Sequence, residues 1–266
     1  MRQILFQIGP LKFYSYGLML GLSFALGIYL ALWRARKENV SEEHVFNLSV
    51  GIVLSSLIGS KLLHILVNLS QFIEDPLSII KHFGGGFVFY GGFLAAIIFV
   101  IIMNNRYKIG IFRLFDIYIP SVALGLGLTR IGCFLSGCCF GIPTNSPLGV
   151  VFPEGSFAYR QYGECVAVHP TQLYSSATGF LLFVILLVFL RWHGKHFHGQ
   201  LFSLFLLLYP IFRFFVEFIR GDAGRGMFLG LYTSQIISIF GFILGLFIFF
   251  ILPRISSNKL EQPIFL

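Results

Sequence analysis

Four residues in "YPIFRFFVEFIRGD", residues 209 to 222, are spaced to do chemistry together: Tyr209, Arg213, Glu217 and Arg220 follow at intervals of four, four and three. That spacing stacks them along one side of an α-helix. Arg213 and Glu217 can neutralise each other as an i, i+4 pair, which leaves Arg220 over. A further arginine, Arg130, stands near the start of "TRIGCFLSGCCFG", residues 129 to 141, and is followed by three cysteines and three glycines. Two or three converging guanidiniums with a single acid nearby carry excess positive charge. Such a cluster suits a phosphate gripped by bidentate hydrogen bonds.

The elements that must position these residues are written in the composition. Hydrophobic residues make up 56% of the 266-residue chain, charged residues 11%, and Phe alone occurs 33 times. Soluble domains are nearer half apolar and about a quarter charged. Apolar runs of membrane-crossing length recur at 14 to 33, 46 to 69, 86 to 104, 115 to 135, 170 to 190, 200 to 219 and 229 to 252. The expected fold is an all-α polytopic membrane protein with seven transmembrane helices, one integral membrane domain over 1–266. No internal repeat is visible, and the N-terminus lacks the basic, apolar and small-residue order of a signal peptide. Only the loop 138–168 is long enough to form a small subdomain. The net charge of +8 requires no nucleic-acid partner.

Loop charges set the orientation. One set of alternate loops carries Arg34, Arg36, Lys37, Arg106, Lys108, Arg113, Arg191, Lys195, Arg254 and Lys259; the other carries Arg2, Lys12, Lys81, Arg160, Arg220 and Arg225. Ten against six puts the first set in the cytoplasm, the N-terminus and the loop 138–168 outside, and the C-terminus inside. Lys61, Arg130 and Arg213 remain within spans, with Asp116 and Glu217. A charge at the bilayer centre costs about 3 kcal/mol or more, so each marks a functional site unless it pairs or snorkels. In this topology Lys61, His64, Arg130, Arg213, Glu217, Tyr16, Tyr90, His169 and Gln172 all fall toward the outer leaflet. Asp116 lies about 21 Å from Arg130 along the fourth span, fourteen residues earlier. At the outer leaflet a lipid headgroup is the natural phosphate.

Gly132, Gly137 and Gly141 allow close backbone approach where a helix opens into a loop lining a polar cavity; plain helix packing is the alternative. Cys133, Cys138, Cys139 and Cys165 all fall on or near the outward side, where disulfides persist. A disulfide tying the loop to the helix mouth ranks first, buried thiols second, and a metal third, because no C-x-x-C pair exists. "HGKHFHG", residues 193 to 199, reads as a solvated cytoplasmic turn.

"RIGCFLSGCCFG" resembles the signature R-x-G-N-F-x-N-G-E-x-x-G of the prolipoprotein diacylglyceryl transferases, with matches at Arg130, Gly132, Phe134, Gly137 and Gly141. The resemblance covers most of the chain: "IGPLKFYSYGLM", "GSKLLHIL", "GGGFVFYGGF", "HPTQLY", "YPIFRFFVEFIR" and "SQIISI" are similar to family motifs in the same order. It implies a reaction in which the diacylglyceryl group of phosphatidylglycerol passes to the lipobox cysteine thiol of a preprolipoprotein signal peptide. The products are a thioether and glycerol phosphate, and no cofactor or metal is needed. It further implies Arg130 and Arg213 as headgroup and leaving-group clamps, with Glu217 orienting Arg213. Tyr16, Tyr209, Arg220, Lys61 and the signature glycines would bind lipid, and His169, Gln172 and Asp116 would give support. The expected location is the bacterial cytoplasmic membrane, with the site facing the outer leaflet among membrane lipids.

The chain departs from the pattern at two places. Tyr90 in "FYGGF" stands where the family commonly has a histidine before two glycines, and a phenol, with a reference pKa near 10, serves as a base only if neighbouring arginines tune it. Otherwise it donates a hydrogen bond or another group activates the thiol. Cys133, Ser136 and Cys138 replace the signature's two asparagines and its acid. A same-fold paralogue with another acceptor is therefore one alternative, and a non-catalytic lipid or signal-peptide binding protein is another. An anion transporter would also hold arginines in the membrane, but such proteins usually carry internal repeats.

Overall fold

The computed structural model describes residues 4–9, 11–74, 88–222, 226–255 and 259–266. Seven helices among them are long and apolar enough to cross a membrane: α1 (Ser15–Lys37), α2 (Glu42–Val67), α3 (Phe89–Tyr107), α4 (Ile111–Ser136), α5 (Thr171–Trp192), α6 (Gln200–Val216) and α7 (Thr233–Ile251). Each expected span coincides with one of these. The helical, seven-span class read from composition holds. Leu54, Ile58, Phe93, Ile98, Leu181, Phe240 and Phe247 lie exposed on the helices, an apolar exterior that water would not tolerate on this scale and lipid requires.

The chain divides into two compact units, Met1–Glu38 with Phe115–Leu266, and Asn39–Leu114. In the second unit α2 starts at Ser41, whose Oγ accepts from the His44 amide, and carries Glu42 and Glu43 in its first turn, where the helix dipole favours acids. α2 and α3 pack backbone to backbone. A methyl group at Gly59 would lie 2.5 Å from the Gly91 carbonyl oxygen, and one at Gly92 would lie 2.7 Å from that of Ser56. Only glycine fits at such contacts, the small-residue packing common between membrane helices.

The first unit contains α1 and α4 to α7. Its core joins Ile119 and Ala123 of α4, Leu182, Leu186 and Leu190 of α5, and Leu201 and Phe205 of α6. α4 and α5 cross at Gly127 and Gly179, where a methyl on Gly179 would sit 2.5 Å from the Gly127 nitrogen; Ser176 Oγ donates to the Gly127 carbonyl there, at 2.8 Å. The segment 138–168 folds around a small cluster of Phe140, Phe152, Ala158 and Val168. In it Val150 and Val151 (β3) pair antiparallel with Ala167 and Val168 (β4). β1 (Ile4–Ile8) pairs with β2 (Leu11–Tyr14), β6 (Met227–Phe228) with β7 (Leu231–Tyr232), and β5 (Lys195–Phe197) with β8 (Lys259–Ile264).

That last pairing corrects the reading of "HGKHFHG" as a solvated turn. Lys195 is fully buried. Its ammonium donates to Glu38 and lies 3.4 Å from Asp116, while Arg34 donates to Glu38 at 2.7 Å. All four side chains of this network are without solvent exposure. The segment looks solvated by composition because its covering strand, β8, lies more than sixty residues downstream.

Candidate active site

Three guanidiniums gather at the end of α6 and α4 in the first unit. α6 tightens into a 3-10 turn at Glu217–Ile219, after which Arg220 turns to extended backbone. Glu217, almost fully buried, puts Oε2 2.6 Å from Arg213 Nη1 and 3.6 Å from Arg220 Nη1. Arg220 also grips Asp222 with two hydrogen bonds, Nε to Oδ1 at 2.9 Å and Nη2 to Oδ2 at 2.5 Å. Burial opposes the Arg220 charge, and the hydrogen bond and charge of Asp222 then hold its pKa above the usual value. Arg130 has no carboxylate within ion-pair distance among the described residues, and its charge acts on Arg213, as does that of Arg220. Among the described residues three cations thus face two carboxylates, which leaves positive charge for an anion.

The loop after α4 is woven into this site by backbone hydrogen bonds. Gly141 N–H donates to His169 O at 2.8 Å, His169 N–H to Ile142 O at 3.0 Å, Ile142 N–H to Ile219 O at 2.9 Å, and Gly221 N–H to Phe140 O at 2.9 Å. Residues 140–142 therefore run between the start of α5 and the end of α6 like the middle strand of a small sheet. Gly141 cannot be larger: a methyl there would fall 2.6 Å from His169 Cβ and 2.7 Å from Ile219 O. Gly221 is as tightly held, against Gly141 O and the hydroxyl of Tyr162, which itself donates to Gly141 O at 3.2 Å.

Other expected residues join from α1 and α5. Gly132, half a turn beyond Arg130, packs on Tyr16, whose Cα would lie 3.3 Å from a methyl at that glycine. Gln172 is fully buried and donates from Nε2 to Cys138 O at 2.7 Å, while Thr171 Oγ1 donates to Cys139 O at 2.7 Å. His169 holds the loop through its backbone, as above, and its Nδ1 lies 3.3 Å from the Tyr174 hydroxyl. Tyr209 stacks on Phe205 with centroids 5.2 Å apart, one turn from Arg213. Gly137 takes φ +75° and ends α4.

The four cysteines are free thiols, which corrects the expectation of a disulfide to the loop. Cys133, Cys138 and Cys139 come together and Cys165 lies exposed. Hydrogen bonds from Cys133 and Cys138, ahead of the charges of Arg130 and Arg220, hold the Cys139 thiol well below its ordinary range; those with Cys133 and Cys139 push Cys138 above it.

Asp116 is not brought to this site. Its carboxylate accepts from the amides of Gly199 at 2.7 Å and Phe202 at 3.0 Å, capping the start of α6 beside Lys195, at the far end of α4 from Arg130. Lys61 and Tyr90 belong to the second unit, near the Gly59–Gly91 contact of α2 and α3. Sequence reasoning missed Asp222, Tyr162 and Gly221. Asp222 had a local signal, an acid two residues after Arg220; the other two are bound only through the fold.

The model for the family described as prolipoprotein diacylglyceryl transferase matches residues 3–251. A phosphatidylglycerol–prolipoprotein diacylglyceryl transferase of Clostridium tetani is 40% identical over 249 residues, 94% of this chain and 97% of that protein. Phosphatidylglycerol–prolipoprotein diacylglyceryl transferase 2 of Clostridium perfringens is 38% identical over 98% of this chain and 97% of its own. The Finegoldia magna protein of the same name is 32% identical over 92% and 93%. The signature arginine and glycines, the paired Arg213 and Glu217, and a match of this length together mean that the chain belongs to the prolipoprotein diacylglyceryl transferase family.

Proposed function

We propose that this chain is a phosphatidylglycerol–prolipoprotein diacylglyceryl transferase of the bacterial cytoplasmic membrane, working at the outer leaflet on lipobox signal peptides. The observation that carries this is the group of three arginines whose charge two carboxylates leave incompletely balanced. A phosphate diester in the headgroup layer supplies the missing anion.

In the reaction the lipobox sulfur forms a bond to the terminal glyceryl carbon of the lipid. The bond from that carbon to the phosphate oxygen breaks, and the thiol proton leaves to a base, so that glycerol phosphate departs with the electron pair. Negative charge grows on the departing oxygen. Arg130 and Arg213 stabilise it, and being preorganised they need no rearrangement as the bond breaks. Glu217 acts through Arg213, fixing the guanidinium by their 2.6 Å contact. Arg220, Tyr16, Tyr209 and the glycines 132, 137 and 141 line the lipid site, with His169 and Gln172 holding its loop. Tyr90 occupies the family's histidine position and is the candidate partner of the thiol. An apolar groove between α6 and α7, lined by Pro210, Phe214, Ile239 and Ile243, suits an acyl chain.

The orientation in this reading, N-terminus and loop 138–168 outside, rests on the loop charges. Incubating the purified protein with labelled phosphatidylglycerol and a lipobox peptide tests the whole assignment. Thioether peptide and glycerol phosphate are expected in equal amounts. Binding of both substrates without product would instead make the chain a binding protein.

A further inference from the structure

The sulfurs of Cys133, Cys138 and Cys139 all lie within 4.8 Å of one another, and local backbone geometry puts them there. α4 closes with two hydrogen bonds, Cys138 N–H to Cys133 O and Gly137 N–H to Phe134 O, each 3.2 Å, around Gly137 at φ +75°. This is a Schellman ending, which brings into contact the side chains at the two ends of its longer hydrogen bond. Here both ends are cysteines. Cys139 then takes φ +61°, a left-handed conformation uncommon for a residue with a side chain, and its sulfur joins the pair. Gln172 and Thr171 of α5 anchor the carbonyls of Cys138 and Cys139 at 2.7 Å each. The three positions are thus held by backbone and neighbouring helix.

We propose that Cys133, Cys138 and Cys139 form a binding site for a thiophilic divalent cation of the zinc and cadmium class, ligated by three sulfurs. Three thiolates around such an ion, each at about 2.3 Å, stand about 3.8 Å apart, so small side-chain rotations close the set. Binding replaces the protons still held by the thiols with the cation and involves no oxidation; these protons pass to solvent. Three thiolates on a divalent ion leave one negative charge, which lies in the field of Arg130 and Arg220, whose charges act on Cys139. Cys165 is exposed and stands outside the group.

The test titrates full-length, reduced and chelator-stripped protein in detergent with cadmium chloride under anaerobic conditions, following sulfur-to-cadmium charge-transfer absorption. Saturation at one equivalent is expected, with the intensity of three thiolates. Cys133→Ser, Cys138→Ser and Cys139→Ser should each weaken binding by about tenfold or more and lower the intensity by one thiolate, whereas Cys165→Ser should leave the titration unchanged. Should Cys133→Ser, inside α4, not fold, the loop variant Cys139→Ser carries the comparison, with circular dichroism as the control for folding. The proposal is overturned by the absence of a saturating band, by wild-type affinity in a folded Cys139→Ser protein, or by loss of the band in Cys165→Ser.

Discussion

Glu217 cannot neutralise Arg213, Arg220 and Arg130 at once, and that imbalance organises the site residue by residue. Asp222 takes up Arg220 with a two-pronged contact, and Glu217 sits closest to Arg213. Removing the Glu217 charge should therefore act through the position of Arg213: Glu217→Gln is expected to lower kcat by about tenfold to a hundredfold with smaller change in KM, and Glu217→Asp to recover part of it. Unchanged kcat in the Gln variant would count against this role. Tyr90→Phe removes a single hydroxyl. If the phenol handles the thiol's proton, turnover falls by about a hundredfold or more, which steady-state assay with the lipobox peptide reads directly. Cys139 offers a pH test. With its thiol held below the ordinary value, the reactive thiolate persists as pH falls, so its alkylation by iodoacetamide should change little between about pH 8 and about pH 6, where an ordinary thiol slows steeply. Peptide mapping by mass spectrometry gives the rate, and a steep decline would show an ordinary thiol.

Elements meet most closely here at glycines. Gly141 is the hub through which the loop meets α5 and the end of α6, and Gly179 is where α5 crosses α4 below Arg130. Gly141→Ala and Gly179→Ala place a methyl within 3 Å of backbone atoms, and overpacking of this kind costs about 1–3 kcal/mol. Thermal unfolding in detergent should show both losses of stability. Gly141→Ala should also lose transfer, since the methyl displaces Ile219, next to Arg220, and His169; full activity would mean the loop does not hold the site. The face joining Tyr209, Arg213, Glu217 and Arg220 was legible in the sequence because helical spacing is a local property. The cysteine grouping was not, since it depends on a left-handed Gly137 and a left-handed Cys139 that residue types alone do not dictate. The same turn makes three sulfurs neighbours where their outward location had suggested a disulfide.

At the scale of the molecule, sequence composition conveyed the seven apolar helices. It failed where distant segments meet. Asp116 was grouped with the arginine site, yet it caps α6 in the network with Arg34, Glu38 and Lys195, whose Glu38–Lys195 bond spans 157 residues. Nothing in either segment announces the other. The network is fully buried; Glu38 would keep Arg34, but removing Lys195 leaves the buried Asp116 without its cation, a change that costs about 3–5 kcal/mol. Lys195→Met is therefore expected to lower the unfolding temperature in detergent markedly while leaving the phosphate site intact in the protein that remains folded.

The central claim, that Arg130 supplies charge to the phosphate of the lipid donor, is tested most directly by the rate of thioether formation in Arg130→Gln. The side chain keeps its polarity but loses its charge and the guanidinium's paired donors. The account predicts a fall of at least about a hundredfold in protein with wild-type circular dichroism. A folded Arg130→Gln enzyme that transfers diacylglyceryl at the wild-type rate would contradict it.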